Sequence, residues 1–295
     1  MRLSLLITFL LASIGLFSQS EKELLYEEAR SYLDARDYQL ALSVLDELTS
    51  KYPDFDTAWV EKGFAYLGLD QPAQAIISTM QAVEIDSANM GAYFVRGIAH
   101  NAMFNYEAAL LDYNYIVLTG DNDYYYLALK ERGILFIYFE IADKAIDDFM
   151  EYYEHDPTDI DVLLAIGTLQ AEKRNNKEAL EFYNEALSLD ANNVDALHKR
   201  TLLYIELEHY NRALDDISKA IILAAKMSEL YITRASVYMA LGNSDYALVD
   251  LDYAIVLNPN NVIAYLDRAR IKESLNDKKG AKADYQKAEK LGYGK

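Results

Sequence analysis

The sequence predicts an all-α array of helix hairpins, on three observations. A small residue recurs in one register at Ala41, Ala75, Ala109, Ala145, Ala179, Ala213, Ala247 and Ala281, spaced by 34 residues except for 36 between Ala109 and Ala145. Twelve residues before each mark lies a second small column: Ala29, Gly63, Gly97, Gly133, Gly167, Thr201, Ala235 and Ala269. Large residues flank both at offsets of four: Leu25, Trp59, Tyr93, Leu129, Leu163, Leu197, Tyr231 and Tyr265 before the second column, and Leu45, Tyr113, Phe149, Tyr183, Ile217, Leu251 and Tyr285 after the alanines, with Thr79 the one departure. Offsets of three and four belong to helices, and a fixed period of this size belongs to a repeat array. Each repeat therefore holds two helices, with small residues where their backbones approach.

Taken in order, the elements begin with a different kind of sequence. Met1 and Arg2 precede the apolar run Leu3–Phe17, followed by Ser18-Gln19-Ser20 and the acidic Glu21-Lys22-Glu23. This reads as a signal peptide over 1–20. An uncleaved anchor is the competing reading, but a span needs about 20 apolar residues. Repeats are expected at 22–55, 56–89, 90–123, 126–159, 160–193, 194–227, 228–261 and 262–295, with two extra residues near Tyr124 and Tyr125. Asp70-Gln71-Pro72 reads as a cap followed by proline in the first helical turn. Pro53, Pro157 and Pro259 end second helices, and Asn176, Gly242 and Asn276 mark turns within repeats. The last second helix, Lys278–Lys290, has no Val, Ile, Leu or Phe, so it reads as a polar cap that closes the array.

These columns resemble the tetratricopeptide repeat (TPR) family. The resemblance is clearest in Trp59, Gly63, Tyr66, Ala75 and Ala82, and again in Tyr231, Tyr238, Ala247, Ala254 and Pro259; it spans 22–295. Tyr152 replaces a usual small residue, and Ser87, Asp121, Ala191 and Ala225 stand where proline is typical. The resemblance implies a right-handed superhelix, an α-solenoid whose first helices line a concave groove and whose second helices form the convex back.

Composition narrows the function. The chain has 295 residues, 28 Lys+Arg against 47 Asp+Glu, a net charge of −19, and no cysteine. Absent cysteine excludes disulfides, thiolate metal sites and a Cys nucleophile. The acidic balance argues against nucleic acid and anionic membrane surfaces, whose phosphates demand Lys and Arg. His100, His155, His198 and His209 have no metal-ligand spacing, and neither a phosphate-binding glycine loop nor GxSxG is present. The repeats fill the chain after the leader, so no enzyme activity, cofactor or metal is expected.

Two sets of residues stand out. Arg96, Arg132, Arg200, Arg234 and Arg268 each have an aspartate sixteen residues on: Asp112, Asp148, Asp216, Asp250 and Asp284. Where the arginine is missing, at Glu28, Lys62 and Ile166, the aspartate is missing too, at Val44, Ser78 and Phe182. Joint presence predicts structural ion pairs, within a repeat or across a junction; an arginine ladder for anions is the functional alternative. The second set is the expected partner groove on first helices: Tyr26, Val60, Phe94, Leu164, His198 and Ile232 in one row, and Phe64, Ile98, Ile134 and Leu202 four residues on. Packing against the neighbouring repeat competes for both rows. The recurring tyrosines, 25 in all, read as packing positions. Residues 121–161 hold 12 acids and three bases, with Asp143, Asp147, Glu151 and Glu154 forming a stripe on one second helix; residues 262–295 carry nine bases and five acids.

The expected protein is thus an exported, periplasmic or secreted, non-enzymatic scaffold that binds a protein or peptide in its groove, with no membrane contact after leader removal. A structural or assembly subunit packing through its ends and acidic back is the alternative. Self-association through oppositely charged ends belongs to that alternative.

Overall fold

The computed structural model describes residues 21–120 and 122–294; the expected leader, 1–20, and Asp121 lie outside the described residues. These form helices and turns only, without a strand. The helices are α1 (21–34), α2 (Tyr38–Lys51), α3 (Asp56–Gly68), α4 (Pro72–Ile85), α5 (Met90–Ala102), α6 (Tyr106–Thr119), α7 (Tyr125–Tyr138) and α8 (Ala142–His155). They continue with α9 (Ile160–Glu172), α10 (Asn176–Leu189), α11 (Val194–Glu206), α12 (Tyr210–Leu223), α13 (Ser228–Ala240), α14 (Ser244–Leu257), α15 (Val262–Ser274) and α16 (Lys278–Lys290). Odd-numbered helices are first helices, and each pairs with the even-numbered helix after it. The chain divides into two compact units, α1–α8 ending at His155 and α9–α16 beginning at Asp156. Inside each unit the hairpins stack in chain order, the second helix of one lying on the first helix of the next.

The alanine marks are fully buried at nearly every hairpin. The glycines do a different job from the one their spacing suggests. A Cβ on Gly97 would lie 2.5 Å from the Tyr113 ring, on Gly133 2.7 Å from Phe149, and on Gly167 2.6 Å from Tyr183. Glycine thus makes room for a ring on the second helix, more than for the alanine mark. Ala29, Thr201 and Ala235 replace it where the residue at the ring position is Leu45, Ile217 or Leu251; Gly63, beside Thr79, and Ala269, paired with Tyr285, depart from this rule.

Among the turns inside hairpins, Gly242 and Asn276 stand where the sequence reading puts them, whereas Asp70 and Asn176 do not. Arg36, Asp70, Phe104, Glu140, Arg174, Glu208, Gly242 and Asn276 follow the first helices with φ between 58° and 76°. The next amide then bonds back five residues, from Asp37 N to Tyr32 O through Asp277 N to Lys272 O, at 2.8–2.9 Å. This is the Schellman closure, which satisfies carbonyls at the helix end. Only one of the eight is glycine. Asp70 is therefore the left-handed turn residue and not a cap; Gln71 takes the N-cap position without a side-chain bond, ahead of Pro72. Asn176 is likewise the first residue of α10, and Arg174 makes the turn. Side-chain caps sit mostly on first helices: Asn89 accepts from Ala92 N, Asn193 from Ala196 N and Asn261 from Ala264 N at 2.9–3.1 Å, while among second helices Asp277 caps α16 by accepting from Gly280 N at 2.9 Å.

Candidate functional site

The two groove rows separate. Val60, Phe94 and Leu164 are buried, and their row joins successive first helices instead of facing a ligand. Val60 clusters with Ala92 and Val95, and Phe94 with Ala128 and Leu135. Tyr26 stacks edge-on against Phe55 and donates to Glu61 Oε1 at 3.2 Å; His198 Nε2 lies 2.9 Å from Thr233 Oγ1; Ile232 is half-buried. The correction has a simple cause: this row points along the stack toward the next repeat, where apolar burial is available. The second row stays open. Phe64 and Ile98 are half-buried, while Ile134 and Leu202 are 44% and 50% exposed.

Clefts lie beside that open row, at junctions between repeats. One, about 580 Å³, is lined by Arg30, Leu33, Asp34, Glu61, Phe64 and Leu67, together with Ile98 and Tyr124. Clefts of about 260 Å³ and 230 Å³ occupy the equivalent register in the second unit, one around Tyr183, Lys199 and Leu202, the other around Leu251, Asp267 and Arg270. Glu61, Lys199 and Asp267 all stand fourteen residues before an alanine mark. This column is the part of the site that sequence reasoning missed; its signal was a carboxylate recurring at Glu27, Glu61, Glu131 and Asp267 in the repeat register. Burial raises the Glu61 carboxyl above the usual range, against the opposing Arg30 charge and the Tyr26 hydrogen bond. Asp267 is raised for the same reason, with Arg270 opposing. Arg30 reaches Glu61 at 3.5 Å and Arg270 reaches Asp267 at 2.7 Å.

All five arginines meet their aspartates across the hairpin, Nε and Nη2 each on one carboxylate oxygen. The bonds are 3.0 and 2.6 Å for Arg96–Asp112, 2.8 and 2.7 Å for Arg132–Asp148, and 2.7 and 2.7 Å for Arg200–Asp216. They are 2.8 and 2.7 Å for Arg234–Asp250, and 2.9 and 2.5 Å for Arg268–Asp284. The aspartates are buried. Three arginines also use Nη1 across the junction, on Asn114, Asn184 and Asp252 of the preceding second helix. Lys62 makes the same junction contact with Asp46 at 2.7 Å. With both edges of the guanidinium occupied, Arg132, Arg200 and Arg268 have little left for an anion. Burial raises Asp148 despite Arg132, whereas at Asp284 the hydrogen bonds from Arg268 and Lys272 outweigh burial and lower it.

Among the three consecutive tyrosines, Tyr124 packs on Phe94 and lines the large cleft, Tyr125 donates to Glu151 at 2.5 Å, and Tyr126 stacks on His155 at 3.8 Å. Asp143, Asp147, Glu151 and Glu154 are exposed along α8. In the positions of Asp147, Glu151 and Glu154, α14 presents Val249, Tyr253 and Val256, and α6 presents Leu111, Tyr115 and Leu118, all exposed. Among the described residues no group of three His, Cys, Asp or Glu side chains is placed to hold a metal, and no helix is long and apolar enough to cross a membrane.

Stacked two-helix repeats with this register define an all-helical repeat protein. The chain belongs to the tetratricopeptide repeat family, whose profiles match residues 26–90, 142–273 and 262–291. It is 30% identical over 101 residues to serine/threonine-protein phosphatase 5 of Rattus norvegicus, a match spanning 34% of this chain and 20% of that protein. The chain thus spans about a fifth of that relative's length. Among solved structures, a tetratricopeptide repeat protein from Parabacteroides merdae superposes with a TM-score of 0.64 at 20% identity, covering 81% of this chain and 94% of that one. The C-terminal part of a TPR repeat-containing protein from Cytophaga hutchinsonii superposes with 0.65 at 16% identity, covering 81% and 97%. These likenesses establish the fold. Proteins of this family are in general scaffolds for protein–protein interaction.

Proposed function

We propose that this protein is an exported, non-enzymatic scaffold that holds a segment of a partner protein along its first-helix face. The observation that carries the reading is the open second row: Phe64 and Ile98 line a cleft of about 580 Å³ that also holds Arg30, Asp34 and Glu61, and Ile134 continues the row as exposed apolar surface. Contiguous apolar surface rimmed by polar residues suits a partner segment with apolar anchors. Export rests on the leader-like residues 1–20 and is tested by the mass of the protein recovered from the cell envelope. Partner binding is tested by capture from envelope extract with the full chain and with Ile134→Asp and Leu202→Asp. Both side chains are exposed, so the variants keep the fold. A partner lost by either variant supports the reading; a partner retained by both ends it.

A second reading, a subunit of a larger assembly, rests on the outer faces of α6 and α14, where Leu111, Leu118, Val249 and Val256 are exposed apolar side chains. Val249→Asp with Val256→Asp abolishes association under that reading and leaves first-helix binding intact.

A further inference from the structure

The three clefts hold the residue fourteen before the alanine mark in different ways. Lys199 takes that place in the cleft of about 260 Å³. Asp267 takes it in the cleft of about 230 Å³, where Arg270 holds it at 2.7 Å. In the cleft of about 580 Å³ the residue is Glu61, and its charge is only partly answered. The Tyr26 hydroxyl donates to Glu61 Oε1 at 3.2 Å, and Arg30 Nη1 donates to the same oxygen at 3.5 Å, both long for hydrogen bonds. Oε2 accepts no bond among the described residues. Asp34, one helical turn on from Arg30, lines the same cleft; it is exposed and has neither a hydrogen bond nor an ion pair among the described residues. One guanidinium thus faces two carboxylates. These groups are reachable, since the Glu61 side chain keeps 15% of its surface and that of Arg30 49%. The remaining lining is apolar or aromatic, with Leu67 and Ile98 beside the rings of Phe64 and Tyr124.

We infer that this cleft takes an arginine side chain of the partner protein, next in sequence to an apolar residue. Its guanidinium meets Glu61 Oε2 and Asp34, and the apolar neighbour lies on Leu67 and Ile98. The inference rests on the first-helix face being the partner site. Arg30 uses only Oε1 of Glu61, so Oε2 is open to a second cation. A guanidinium is weakly hydrated, carries five donors in a planar fork and stacks on aromatic rings, which Phe64 and Tyr124 supply. An ammonium is a compact, strongly hydrated point charge and uses such a cleft less fully. The volume of about 580 Å³ falls within the range of about 300–1,000 Å³ of pockets that enclose whole ligands, so a second side chain has room. A chain of net charge −19 also draws a basic segment toward it.

The test uses full-length protein with ¹³C-labelled glutamate carboxyls, the Glu61 resonance being assigned by its loss in Glu61→Gln. Four capped dipeptide probes are titrated: acetyl-leucyl-arginine N-methylamide and its citrulline, lysine and glutamate counterparts. The expected result is a saturable Glu61 shift with the arginine probe, at an affinity about tenfold or more above that of the uncharged citrulline probe, as for one hydrogen bond between charged groups. Backbone amide shifts are expected to show the arginine probe bound about tenfold more weakly by Glu61→Gln and about threefold more weakly by Asp34→Asn, whose carboxylate is exposed. Glutamine keeps an oxygen for Tyr26, and Asp34 has no bond to lose, so Asp34→Asn separates lost binding from lost folding. Equal affinity for the citrulline or lysine probe, tighter binding of the glutamate probe, or unchanged arginine binding by Asp34→Asn overturns the assignment. If Ile134→Asp releases the captured partner while Glu61→Gln and Asp34→Asn both retain it, this assignment fails alone. If Ile134→Asp and Leu202→Asp both retain it, the partner-site reading falls and takes this assignment with it.

Discussion

Replacing Arg132 by Met keeps most of the side-chain stem and removes the guanidinium. Asp148, which is 5% exposed, then loses bonds of 2.8 and 2.7 Å, and Asn114 loses one of 3.0 Å. Hydrogen bonds to charged groups contribute about 1.5–3 kcal/mol each, and breaking a buried pair from one side costs about 3–5 kcal/mol. Because the Arg132 side chain keeps 14% of its surface exposed, the lower part of that range applies, about 3–4 kcal/mol. Most of the loss comes from stranding Asp148, so Arg132→Met with Asp148→Leu is expected to recover at least about half of it. The assay is urea unfolding followed by fluorescence of Trp59, the single tryptophan, which lies in the same unit. Midpoint and slope give the free-energy change without requiring both units to unfold together. A loss below about 1 kcal/mol is what an exposed pair gives and refutes the argument. So does a double variant less stable than Arg132→Met alone.

Three further outcomes follow from local geometry. Gly133→Ala places a Cβ 2.7 Å from the Phe149 ring and is expected to destabilise by about 1–3 kcal/mol, with Phe149→Leu restoring much of the loss; equal melting of Gly133→Ala and wild type contradicts this. Glu140→Gly, at φ 58°, removes a left-handed cost of about 1–2 kcal/mol while adding about 0.5–1 kcal/mol of chain entropy, so its midpoint is expected to rise slightly. Burial lowers the folded-state pKa of His100, so on acidification the unfolded chain takes up the proton first. Stability at this site is complete above the unfolded value of about 6.5 and falls as pH drops below it. His100→Phe is therefore expected to flatten the stability profile between pH 7 and 5, and an unchanged slope counts against the burial argument.

The helices, their pairing into hairpins and the Arg–Asp pairing were legible because each depends on residues close in sequence. Apolar and small residues at offsets of three and four make a helix face, and sixteen residues bring Arg132 and Asp148 level across one hairpin. Other features depended on the angle at which one repeat meets the next. Phe94 and Ile98 both lie on α5 and are both apolar, yet Phe94 is enclosed by α7 while Ile98 stays beside the cleft; no spacing within α5 separates them. Glu61 and Val60 are adjacent, and a rotation of about 100° per residue makes one a cleft wall and the other core. Gly242 and Asn276 marked two of the left-handed turns; the others were hidden for a different reason. Arg36, Phe104 and Glu140 accept φ near 60° because the Schellman bonds and the packed helices around them impose it, so no glycine marks the place. Local periodicity thus determined the elements and their partners by itself, whereas the stacking of repeats decided which apolar row is spent on packing, which carboxylates are desolvated, and where a partner can reach.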